Sequence, residues 1–118
     1  MTRSAIVLSL AMVIGAPATM AMAEAFYTGN TLYAACTSKD TMTQVDCLGY
    51  TSAIADAVIS GGMSQLFSAC VPAGVTRGQV QDIVVKWLAA NPKVRHDEAA
   101  GLVAAALEDA FPCRKPSN

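Results

Sequence analysis

Few side chains in this sequence could carry covalent or acid–base chemistry, and their types and spacing decide what chemistry that would be. Cys36, Cys47, Cys70 and Cys113 are its four cysteines, and His96 is its one histidine. A thiol nucleophile must be free and have a base beside it. Four cysteines with none left over point instead to two disulfides, which would consume every thiol. Zinc is the competing use, but there is no C-x-x-C pair and His96 would be the sole imidazole helper. His96 lies in Lys93-Val94-Arg95-His96-Asp97, beside an acid, and reads as a residue of a helix approach or an interface rather than a catalyst. Asp40, Asp46 and Asp56 show no spacing that would pair two carboxylates for acid–base work. Gly61-Gly62 is a helix stop, not a phosphate loop. The expectation is a protein that is not an enzyme, with no metal and no cofactor.

The elements that must position these residues read as helices. Thr76 and Gln79 make a capping box flanked by a Val75/Val80 staple. After it Val80, Ile83, Val84, Trp87 and Leu88 repeat at helical spacing, with Trp87 expected in the core. Asn91-Pro92 stops this helix, because proline disfavours helical geometry in the residue before it. Asp97 suits the N-cap of the next helix, with Glu98 in its first turn. There Ala99, Leu102, Val103, Ala106, Leu107, Ala110 and Phe111 form the stripe, Ala104 and Ala105 flank it, and Pro112 ends it. A hairpin through residues 91–96 would bring Cys70 beside Cys113.

Upstream, Thr28 to Cys36 reads as a short first helix and 37–43 as a polar turn. Val45, Leu48, Ser52, Ala55 and Ile59 mark a second helix, with Tyr50, Ile54, Ala57 and Val58 as another apolar stripe. Leu66, Phe67 and Val71 are expected to plug the core from the following connection, and no strand signal exceeds 66–71. Spacing alone leaves three cysteine pairings open. The helical layout chooses 36–47 with 70–113, because Cys36 ends one helix and Cys47 lies in the opening of the next. The fold class expected is all-α, a small disulfide-stabilised bundle of about four helices.

The first 23 residues read as a secretory signal: Arg3 gives a positive end, 5–14 is apolar, and Ala21-Met22-Ala23 is a small-x-small cleavage site. Gly15, Pro17 and Thr19 interrupt the run well short of the roughly 20 apolar residues a membrane span needs. The domain would then be 24–118, exported to an oxidising periplasm and free of the membrane after cleavage. Without Arg3 it keeps seven basic against nine acidic residues. That balance, with no basic patch, argues against nucleic-acid binding.

The ordered set Gly29-Asn30-x-Leu32-Tyr33-x-x-Cys36, Cys47-x-Gly49-Tyr50 with Asp56, Cys70-x-Pro72-x-Gly74-Val75-Thr76-x-x-Gln79, Asn91-Pro92-x-x-Arg95-His96 and Phe111-Pro112-Cys113 resembles the Rap/Tai immunity proteins of type VI secretion. The resemblance runs from about Gly29 to Cys113. It implies an all-helical, disulfide-bonded periplasmic protein, homodimeric like its relatives, that blocks a peptidoglycan amidase effector by occluding a papain-like cleft. Most matching positions are scaffold positions, and they speak for fold more than for the particular toxin. The candidate contact residues are Lys93, Arg95, His96 and Asp97, since a loop on a rigid helix pair can enter a cleft. The alternative is a periplasmic protein of the same scaffold with another role, an acid-stress chaperone or an envelope adaptor. The few carboxylates make an acid switch hard to build.

Overall fold

The computed structural model describes residues 11–113, so the first ten residues of the expected export signal and the last five of the expected domain lie outside it. Four α-helices make the body: α1 (Gly29–Cys36), α2 (Thr41–Ile59), α3 (Arg77–Ala90) and α4 (Ala99–Ala110), with a 3-10 turn (Pro92–Val94) between the last two. Every helix touches the other three. Leu32, Cys47, Thr51, Val84, Leu88, Val103 and Leu107 are sealed at the centre. The fold is an all-α small bundle; among the described residues there is no strand, only isolated bridges at Thr28–Glu98 and Ala69–Pro112. The 66–71 stretch contributes one of these bridges and nothing more.

The helix pair α3–α4 follows the hydrophobic pattern. The Thr76 N–H donates to Gln79 Oε1 at 2.7 Å and the Gln79 N–H donates to Thr76 Oγ1 at 3.2 Å, closing the capping box. Val80, Val84 and Leu88 are buried, while Ile83 and Trp87 are only half-buried at the edge of the core. Trp87 is therefore not a sealed core residue; its Nε1–H reaches Asp109 Oδ2 at 2.7 Å. In α4, Ala104 is as buried as the stripe itself and not a flank, because α4 is covered by neighbours on several sides. Phe111 lies just past the helix as its C-cap.

Three further expectations are corrected. First, α2 begins at Thr41, inside the segment read as a turn: Asp40 is its N-cap, with Oδ2 accepting from the Thr43 N–H at 2.9 Å and the Thr43 hydroxyl at 2.8 Å. Second, α2 is rotated about its axis. Cys47, Thr51, Ala55 and Val58 face inward, whereas Val45 is 52% and Ile59 56% exposed. The bond from Cys47 to buried Cys36 sets that orientation, and Thr51 can be buried because its hydroxyl donates to the Cys47 carbonyl at 2.9 Å. Third, Leu66 is 79% exposed and plugs nothing, while Phe67 and Val71 are half-buried. The connection is held by its main-chain N–H groups instead, Cys70 donating to the Phe111 carbonyl and Ser68 to the Glu108 side-chain Oε2, both at 2.8 Å.

Helix α2 ends as expected at its glycine pair, Gly61 taking a left-handed φ of 84°. Two disulfides tie the bundle. Cys36 and Cys47 have Cα atoms 5.1 Å apart and both are buried; Cys70 and Cys113 are 4.9 Å apart, with Cys70 exposed. The first joins α1 to α2. The second fastens the latter half of the α2–α3 connection to the segment just past α4.

Candidate functional site

The loop from Pro92 to Asp97 carries the four residues singled out for partner contact, and its backbone is fixed from within and from α1. Proline supplies the first residue of the 3-10 turn, the Val94 N–H donates to the Asn91 carbonyl at 3.3 Å, and the Asp97 N–H donates to the Val94 carbonyl at 3.0 Å. The Asn91 side-chain amide donates to the Trp87 carbonyl at 2.8 Å, anchoring the loop to the end of α3. From the other side, the Gly29 N–H donates to the Asp97 carbonyl at 2.9 Å and the Asn30 N–H to the Arg95 carbonyl at 2.7 Å. These are donors that the first turn of a helix leaves without intrahelical partners. The loop therefore caps α1 with its main chain.

The exchange is reciprocal. Asp97 is not the N-cap of α4; Glu98 takes that place without a side-chain bond, and the Ala99 N–H donates to the Tyr27 carbonyl at 3.0 Å. A tertiary main-chain acceptor has replaced the carboxylate cap. The packing is close enough to demand glycine at position 29, where a Cβ would lie 2.9 Å from both Arg95 Cα and its carbonyl oxygen and nearer still to Leu102 Cδ1.

The four side chains part company. Lys93 is exposed, and His96 and Asp97 are largely exposed, with His96 Nε2 3.2 Å from Asp97 Oδ1. Arg95 is half-buried: its guanidinium sits 4.5 Å from the centre of the Tyr33 ring, a cation–π placement, and its Nε is enclosed without a hydrogen-bond partner. Tyr33, which the sequence marks only as one of the matching positions in α1, is thus the seat that orients Arg95. Nearby, Tyr50 packs on Tyr27 with ring centroids 4.9 Å apart; burial, then the Glu98 and Tyr27 charges, push its phenol above the ordinary value.

All four cysteines are bonded, and among the described residues no three His, Cys, Asp or Glu side chains cluster closely enough to hold a metal ion. No described helix is long and apolar enough to cross a membrane. Outside the loop, a shallow hollow lies between α3 and α4, lined by Ile83, Lys86, Trp87, Ala106 and Asp109; it is open to solvent and apolar at its base.

A family model described as Rap1a immunity proteins matches residues 28–113. The matched span begins at the N-cap of α1 and closes on the last disulfide cysteine. No curated protein and no solved structure matches the chain.

Proposed function

The chain belongs to the Rap1a immunity protein family, and from that premise we propose that it is a periplasmic protein that binds a peptidoglycan amidase effector of type VI secretion and blocks it by covering its active-site cleft. Membership carries an immunity role against a secreted effector, and with it a protein partner. The family match over the whole disulfide-tied body is the observation on which the proposal rests. Two disulfides in so small a body favour an oxidising compartment. Steric rather than chemical inhibition is favoured by side chains suited to contact, since every thiol is bonded and the single imidazole points into solvent beside an acid.

Within that reading the 92–97 loop is the part that reaches the effector. Its main chain is rigid, and Lys93, His96 and Asp97 project outward, so little conformational freedom would be lost on docking. The test uses the chain from Glu24 onward, oxidised, as bait in periplasmic extract and in supernatants of related strains. Recovery of an amidase whose peptidoglycan cleavage stops at one equivalent of added chain supports the proposal. A bound amidase that still cuts, or no amidase at all, sinks it.

A further inference from the structure

From Tyr27 onward, the large apolar side chains left in solvent are Met42 at 70%, Val45, Ile59 and Leu66, and all four lie on α2 or in the turn that follows it. Met42, Val45 and Gly49 are spaced i, i+3, i+7, and Ala53 continues the same outward arc, so these positions share one face of the helix. From Met42 to Ile59 the face is about 25 Å long. Gly49 is at its middle. Glycine inside a helix is the least favourable choice after proline, and here nothing within the chain asks for it: a Cβ at position 49 would meet no atom within 4 Å, in contrast to position 29. A bare backbone at that point leaves room for something outside the chain to approach closely.

The charges say what kind of surface that is. Between Thr41 and Ile59 there is no lysine, arginine or histidine, and the two charged residues, Asp46 and Asp56, are exposed on the same side as Gly49. A second copy crossing over Gly49 would bring another Asp46 and Asp56 and no cation from its own α2, gathering like charges without a counter-charge in a contact that excludes water. A partner with an apolar groove rimmed by lysine or arginine would satisfy both the hydrophobic ridge and the acids.

We propose that the outer face of α2, from Met42 through Gly49 to Ile59, docks into an apolar, cation-rimmed groove on the effector. This rests on the immunity reading and adds a contact surface to it, one built on a helix. The test measures the Kd of the purified amidase that the wild-type chain captures, by titration calorimetry, against the full mature chain and two variants. Gly49→Gln and the double reversal Asp46→Lys with Asp56→Lys are each expected to weaken binding at least tenfold. The reversal should also flatten the salt dependence of the association rate, and Gly49→Gln should leave the melting temperature of the free chain unchanged or higher. Affinity within twofold of wild type for both variants overturns this inference while leaving the immunity reading intact. A free chain that is dimeric by sedimentation, and made monomeric by Gly49→Gln, assigns the face to a second copy and overturns it as well. Failure of the wild-type chain to bind any amidase is a separate result, which removes the immunity reading and this inference together.

Discussion

Two glycines illustrate how much a single residue can reveal once its surroundings are known. Gly29 is required inside the fold, because a side chain there would strike Leu102 and the Arg95 backbone. Gly29→Ala should destabilise the chain by about 1–3 kcal/mol, the usual range for overpacking, measured by urea denaturation. Gly49 has no such neighbour, so Gly49→Ala should stabilise by about 0.5–1 kcal/mol through helix propensity alone. Sequence motifs mark both as glycines in a pattern and do not separate them; the distinction lies in tertiary distance, which no local spacing encodes. Asp40 makes a third residue-scale case. Hydrogen bonds from the Thr43 N–H and hydroxyl hold its carboxyl below the ordinary 3.8. With the folded value depressed, the cap's contribution is present above the ordinary value and is lost as pH falls through the folded one. The melting-temperature gap between wild type and Asp40→Ala should therefore be constant near neutrality and shrink as the acid is titrated. A gap independent of pH down to 2 would count against the carboxylate as the cap.

At the scale of elements, the clearest structural contrast is between the two disulfides. Cys36 and Cys47 lie within the core and join adjacent helices across a separation of 11 residues; Cys70 and Cys113 close a separation of 43 at the surface. In the chain-entropy account these are worth about 3 and about 4 kcal/mol. Thiol–disulfide exchange depends on access to a sulfur, so limiting reductant should open 70–113 first. Alkylation followed by peptide mass spectrometry should find Cys70 and Cys113 labelled well before Cys36 and Cys47. The double substitution Cys70→Ser with Cys113→Ser should lower the melting temperature by more than about 10 °C, given several degrees per kcal/mol for a domain of this size. Both α3 and α4 were legible because their apolar residues recur at helical spacing with a capping box and prolines as punctuation. Helix α2 was legible as a helix but not in its orientation. Its two candidate stripes overlap, and the face that wins contains a cysteine and a threonine whose burial depends on a disulfide and a hydroxyl–carbonyl bond. Leu66 was misplaced for a related reason: hydrophobicity marks a residue as able to enter a core, whereas hydrogen bonds from the main-chain N–H groups of Ser68 and Cys70 decide where the connection runs.

For the whole molecule, the same features that stabilise the bundle restrict where it can work. The sealed core is made of leucines, valines, alanines, the Cys36–Cys47 pair and one threonine, Thr51, with no aromatic side chain fully buried. A small domain with so modest a core has little stability to spare, and loss of both disulfides would remove several kcal/mol from it. A chain kept in a reducing cytosol should therefore be largely unfolded or rapidly degraded. The candidate loop would suffer with the rest, since its geometry depends on α1, which is held to α2 by Cys36–Cys47. This couples the proposed compartment to the proposed function in a way that can be measured. In cells attacked by a strain delivering the matching amidase, the full-length protein should protect, and a version starting at Glu24 with no export signal should not, even when made in excess. Adding a signal segment from an unrelated exported protein should restore protection, because on this proposal what the fold needs is the oxidising space rather than the particular sequence of residues 1–23. Protection by the cytosolic version would mean that the bundle folds without its disulfides and meets its partner elsewhere, and the periplasmic proposal would then be wrong.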